Sequence, residues 1–162
     1  MYKRQDFNDA AWEVGNGELG YGDGNETTEV GFVTGPNGRN ITTYFRREFT
    51  STGNVDSVTL SLLRDDGAVV YINGVEVVRD NLPGGLISYD TPASSVIGGG
   101  GESSFSDFTI PGNLLVAGTN TIAVEIHQVS GTSSDISFDA QLTAVQQSPS
   151  SLITLDLSLI HI

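Results

Sequence analysis

Cysteine is absent, so no disulfide can staple this chain, and Lys3 is its one lysine. Basic side chains are scarce altogether: seven Lys and Arg face twenty Asp and Glu, a formal net charge of −13 over 162 residues. Such a surface repels phosphate backbones and anionic lipid, which argues against nucleic acid and membrane as partners. Neutral or weakly charged ligands and divalent cations are compatible with it. Histidine is limited to His127 and His161, too few for a histidine-built metal triad, and no Gly-x-Ser-x-Gly nucleophile motif occurs. No signal peptide or membrane-length apolar run is visible.

What the chain does have is glycine, 20 residues of it, with many Ser and Thr and short apolar runs between turn signals. That is the composition of an all-β domain, and an apolar fraction of 38% supplies a real core. Strands are expected over 42–50, 57–64, 68–72, 75–79, 107–110, 120–129 and 135–145. Asn73-Gly74 between two apolar runs predicts a two-residue type I′ hairpin turn and nothing more. The long segment 83–106 has to cross the top of the domain or move.

Alternation assigns faces. Ile122, Val124 and Ile126 point inward, leaving Ala123, Glu125 and His127 outward; Ile136, Phe138, Ala140 and Leu142 point inward, leaving Asp135, Ser137, Asp139 and Gln141 outward. With Gly131 in the loop joining these strands, the two polar faces are expected side by side on one sheet. Strand number and spacing predict an all-β, two-sheet antiparallel β-sandwich with jelly-roll topology.

The two ends read differently from the rest. Leu157–Ile162 and, on the opposite DNA strand, Met1–Gln5 read as inverted copies of a transposase-based library adapter, so 6–156 is expected to be a fragment of a longer gene from environmental DNA. The expected organisation is 1–5 adapter-derived, 6–145 sandwich module, 146–156 linker and 157–162 adapter-derived.

Five segments then carry a resemblance: Leu19-Gly20-Tyr21-Gly22-Asp23-Gly24, Tyr44-Phe45-Arg46-Arg47-Glu48-Phe49, the run from Arg64-Asp65-Asp66-Gly67 through Asn73-Gly74 to Val77, Gly118-Thr119-Asn120 through His127-Gln128, and Ser133-Ser134-Asp135 through Asp139. In this order they resemble the galactose-binding-domain-like jelly-roll modules of large secreted bacterial proteins. More distantly, they are similar to the sugar-binding domains of β-glycosidases and to carbohydrate-binding modules. The resemblance runs from about residue 6 to 142 and implies an extracellular or cell-surface ancillary module whose partners are a glycan and neighbouring domains. It also implies a first strand, containing Trp, upstream of Asp6–Trp12, where the adapter-like end stands here. The alternation of Ile153, Leu155, Leu157 and Leu159 leads us to expect a strand over 152–162 that fills the vacant edge or pairs between molecules.

Sandwiches of the resembled class often hold one structural Ca²⁺ where an N-terminal loop meets the last strands. Asp23, Glu26 and Glu29, with Asp139 or Glu125 from the far end, are the matching oxygen donors; a solvated acidic loop is the alternative. Asp65 and Asp66 read as a turn ion-paired to Arg64 or Arg79, or as a loop-rim site for sugar hydroxyls. His127 shares its face with Glu125, and Asp135 or Ser137 is expected across the strand pair, as a structural pair or as an orienting contact for general-base work. Arg47 shares the phase of Phe45 and Phe49, so its stem is expected to be buried with its head on an acid.

Trp12, Tyr21, Tyr71 and Tyr89 are the rings on which a pyranose could stack, Trp12 being either platform or core plug. The ligand-binding set is thus Asp65, Asp66, Arg79, Trp12, Tyr89, His127 and Asp135. Three functions follow: a non-catalytic carbohydrate-binding or adhesion module, a ligand-free spacer, or a metal-assisted hydrolase built on Asp65, Asp66, Glu125, His127 and Asp135.

Overall fold

The computed structural model describes residues 6–35, 38–146, 152–155 and 160–161. The ends expected to be adapter-derived, apart from Ile160–His161, and residues 147–151 of the expected linker lie outside that description. The short strands are β1 (Val14–Gly15), β2 (Leu19–Tyr21), β3 (Thr28–Glu29), β4 (Thr34–Gly35) and β5 (Gly38–Arg39). The long ones follow: β6 (Thr42–Ser51), β7 (Val55–Arg64), β8 (Gly67–Ile72), β9 (Val75–Asp80), β10 (Ser106–Pro111), β11 (Gly118–His127) and β12 (Ile136–Gln146). Two more, β13 (Leu152–Leu155) and β14 (Ile160–His161), end the series.

Two sheets face each other. One has the order β1-β14-β6-β11-β8-β9 and the other β10-β7-β12-β2-β3, with β13 also on β12. All pairs are antiparallel except β2 with β3. The expected two-sheet jelly-roll sandwich is therefore the fold. Its core is the inward phase of the long strands: Phe45, Leu60, Leu62, Val70, Ile122, Ile126, Phe138 and Leu142 are each at most 3% exposed. Phe45 and Phe138 meet across the gap with ring centroids 4.4 Å apart. Each such side chain contributes about 1.5–3 kcal/mol by leaving water.

β11 and β12 do not share a sheet, which corrects the expectation of adjacent polar faces. β11 lies between β6 and β8, whereas β12 lies between β7 and β2. Strand alternation fixes which side chains turn inward but not whether the following loop folds back or crosses to the other sheet. Residues 129–135 cross. The described residues of the 152–162 segment pair within the chain: β13 backs onto 142–145 of β12, and β14 fits between β1 and β6, with His161 opposite Val14 and Arg46.

The 81–98 segment does not cross the top; it lies over the outer face of the β6/β11/β8 sheet. Leu82 and Ile87 pack on Val69, Tyr71 and Ala123, Ala93 N–H donates to the Gln128 carbonyl, and Ile97 N–H to Asp66. This cover explains why both faces of β11 are buried. Close approach sets one glycine: a Cβ on Gly20 would sit 2.0 Å from the Ile136 carbonyl, so β2 can lie against β12 only with glycine there.

Candidate functional site: an aromatic groove

On β6 the outward phase is Thr42, Tyr44, Arg46 and Glu48, because Phe45 and Phe49 take the core. Register sets Tyr44 opposite Glu125, and Thr42 opposite His127, on β11. The covering segment brings Tyr89 onto this face, its ring centroid 6.3 Å from that of Tyr44. The N-terminal segment brings Trp12, half-buried and edge-on to Phe7 at 5.6 Å. Between them is an open groove of about 420 Å³, lined by Trp12, Glu13, Gly31, Val33, Asn40, Thr42, Thr43, Tyr44 and Tyr89.

Its polar groups are set by local bonds. The Asn40 amide donates to the Thr42 carbonyl and to Thr43 Oγ1, both at 3.1 Å, and its oxygen accepts from Val33 N–H at 3.2 Å. Thr43 thus accepts one bond and retains its own O–H for a ligand. Burial first, and then the nearby Tyr89 and Asp90, push the Tyr44 phenol up, so it stays a neutral donor at physiological pH. Beneath the groove His127 is fully buried: its Nδ1 lies 2.7 Å from the Thr91 carbonyl and 3.0 Å from Thr42 Oγ1, and its Nε2 3.0 Å from Glu125 Oε2. With both ring nitrogens engaged, this imidazole holds structure together. The partner expected from β12 is replaced by Glu125, two residues away on its own strand.

The sequence-derived ligand set is divided. Trp12 and Tyr89 line the groove and His127 underlies it, whereas Tyr21 and Tyr71 are core-buried rings, not platforms. Burial first, then Glu76, pushes the Tyr71 phenol up to about 12. Arg79 is on the edge strand β9, where it pairs with Glu76 at 2.8 Å and donates to the carbonyls of Pro83 and Gly85. Arg64 goes to Asp80. Asp65 is therefore not the partner of either arginine, as the turn reading had it. Asp65 and Asp66 are each 3% exposed, not at a rim, and Asp65 faces Asp66, Asp135 and Glu102.

The calcium set is not brought together either. Glu26 folds back to accept the N–H groups of Asp23 at 2.9 Å and Gly24 at 2.8 Å, Glu29 is exposed, Asp23 accepts from Ser137, and Asp139 accepts from Ala140 N–H. Hydrogen bonds from backbone amides, its own first, hold the Glu26 carboxyl below its usual range. Among the described residues no three His, Asp or Glu side chains converge to hold a metal ion. The same holds for Asp65, Asp66, Glu125, His127 and Asp135 as a metal-hydrolase set. Arg47 Nε is buried without a hydrogen-bond partner, beside a small core cavity.

Sequence reasoning missed Glu13, Asn40, Thr42, Thr43 and Tyr44. The signal for Tyr44 was present: a tyrosine in the outward phase of β6, in register with a buried acid, is where an exposed ring has a reason to be.

No family model matches the chain, and no curated protein does. Among solved structures, an α-L-rhamnosidase of Streptomyces avermitilis complexed with L-rhamnose is 21% identical over 74% of this chain and 10% of its own, at a TM-score of 0.48. A Pleurotus ostreatus lectin is 19% identical over 74% of this chain and 29% of its own, at 0.46. An α-L-rhamnosidase of Aspergillus terreus is 17% identical over 90% of this chain and 16% of its own, at 0.49. The chain thus spans less than a third of each structure it resembles, and likeness at this level bears on neither substrate nor chemistry.

Proposed function

We propose that this chain is a non-catalytic carbohydrate-binding module that takes one or two units of a neutral or weakly charged glycan into the groove between Trp12, Tyr44 and Tyr89. The carrying observation is that three rings from three separate segments converge on one open groove beside amide, hydroxyl and carboxylate groups. A pyranose presents an apolar C–H face and a rim of hydroxyls, so it needs flat rings for one and hydrogen-bonding groups for the other. The Thr43 hydroxyl and the exposed Glu13 carboxylate serve the rim. A net charge of −13 favours neutral polymers over acidic ones. An extracellular setting and an ancillary role in a larger protein belong to the same proposal and rest on the family resemblance.

The test is affinity electrophoresis of the purified chain in gels carrying neutral polysaccharides, backed by NMR titration with their oligosaccharides. Retardation by at least one polymer, with affinity reduced about tenfold or more in Trp12→Ala and Tyr89→Ala, is expected. Wild-type protein that shifts no resonances with any sugar at millimolar concentration is instead a ligand-free spacer.

A further inference from the structure

We propose that His127 is the positioning residue of the groove: the proton on its Nδ1 fastens the turn that carries Tyr89 to the sheet that carries Tyr44. Hydrogen-bond directions require that proton. The Thr42 hydroxyl donates its single hydrogen to the Tyr89 carbonyl. Towards His127, Thr42 Oγ1 can therefore only accept, and the Thr91 carbonyl, 2.7 Å from Nδ1, can never do otherwise. Nδ1 must supply the hydrogen to both. On the other side of the ring one proton is shared between Nε2 and Glu125 Oε2 at 3.0 Å.

The two carbonyls held in this way, Tyr89 and Thr91, belong to one compact turn. Thr91 N–H donates to the Ser88 carbonyl at 3.0 Å and Ser88 N–H to Thr91 Oγ1 at 2.9 Å. The turn is internally rigid and docks through the Thr42–His127 pair, with Ala93 N–H on the Gln128 carbonyl as its next attachment. Tyr89 itself is 46% exposed, so its own side-chain burial supplies little hold. Removing the Nδ1 donor leaves the Thr91 carbonyl and the Thr42 oxygen without their shared hydrogen, so that the turn is held to the sheet only by the Thr42 hydroxyl on the Tyr89 carbonyl and can swing away from Tyr44.

The functional consequence rests on the sugar-binding reading, but the contacts do not, and the experiment separates the two. In His127→Asn the amide nitrogen takes the place of Nδ1; in His127→Gln it takes the place of Nε2. The first measurement, on the ligand-free protein, is the nuclear Overhauser contact between the Tyr44 and Tyr89 rings, alongside ¹⁵N shifts that report a protonated Nδ1 in the wild type. The contact is expected to persist in His127→Asn and vanish in His127→Gln. Affinity for a neutral oligosaccharide that the wild type binds is expected to fall no more than about threefold in the first and about tenfold or more in the second.

A contact kept in both variants, or lost in both, overturns the inference. If His127→Gln does not fold, Thr42→Val cuts the same relay at nearly equal volume, and a persisting ring contact there overturns it equally. Wild type that binds no sugar while the ring contact follows the expected pattern defeats the sugar reading and upholds the positioning role.

Discussion

The carboxyls of Asp65 and Asp66 lie against one another at the buried end of β7, and they do opposite work. Asp66 accepts two backbone amides, Ile97 N–H at 2.6 Å and Val129 N–H at 2.8 Å, tying the covering segment to the end of β11. Asp65 has burial, then the Asp66 charge and hydrogen bond, then Asp135 and Glu102 against its ionisation, which pushes its carboxyl up to about 8. At neutral pH it keeps its proton.

A carboxyl whose folded pKa is raised binds its proton more tightly in the native state than in the unfolded chain, where it titrates near ~4. The stability it contributes is complete below that value and is lost as pH rises through about 8. Burial also pushes Asp139 and Glu102 up, which adds to the same trend. The melting temperature is therefore expected to fall by roughly 5–10 °C between pH 5 and pH 9. Asp65→Asn keeps a donor towards Asp66 without the titration and should remove most of that fall. Calorimetric scans across this range decide it; a wild type as stable at pH 9 as at pH 5 would contradict the account.

Asn73-Gly74 is the two-residue turn that its sequence announced, with φ of 51° and 84°, but the asparagine also reaches further. Its amide donates to the Leu114 carbonyl at 2.9 Å and to Asn120 Oδ1 at 2.8 Å, and its oxygen accepts from Thr121 N–H at 2.9 Å. Asn120, fully buried, closes the network on Val116 N–H and on the carbonyls of Val116 and Gly118. Asn120→Ala leaves those groups unsatisfied and is expected to cost about 2–4 kcal/mol in urea denaturation. Asn73→Gly keeps the turn conformation and loses only the side-chain bonds, at about 1–2 kcal/mol. A wild-type midpoint in Asn73→Gly would mean that turn geometry alone matters there.

The long strands were legible because each carries enough alternation to fix its phase. In β11, Ile122, Val124 and Ile126 had no other face to occupy, and β6 announced itself through Phe45 and Phe49. β1 to β5 were not legible. They are two or three residues long and too short to show a period; β1 and β2 form by pairing with distant partners, as Gly20 does with Ser137 of β12, while β4 and β5 pair only with each other. The site was half legible for a related reason. Trp12 and Tyr89 stood out as scarce rings, but what assembles them with Tyr44 is the lie of the 81–98 cover, which leaves no periodic trace. The Asp65-Asp66-Gly67 run looked like an exposed turn because composition alone cannot tell that the segment following β9 folds back over it.

Arg39, in the hairpin formed by β4 and β5, clips that hairpin to the crossing between β11 and β12. Its guanidinium centre is 4.3 Å from the Phe32 ring centroid and 4.9 Å from that of Tyr21, while Nη1 donates to the Ser133 carbonyl at 2.8 Å and to that of Ser134. A planar cation with a rigid fork can do both at once; an ammonium cannot. Arg39→Lys, which preserves charge, should therefore behave almost as badly as Arg39→Ala. The readout is amide hydrogen exchange at Ser133, whose N–H donates to the Ser130 carbonyl at 3.2 Å. Exchange there should quicken about tenfold or more in both variants, with the melting temperature down by roughly 2–4 °C. Because Phe32 and Arg39 line a second groove while Val33 lines the first, loosening this clip should disturb the Trp12 groove only through Val33 and Asn40. Ser133 protection at the wild-type level in Arg39→Lys would show that charge alone holds the crossing, and that the stacked plane is incidental.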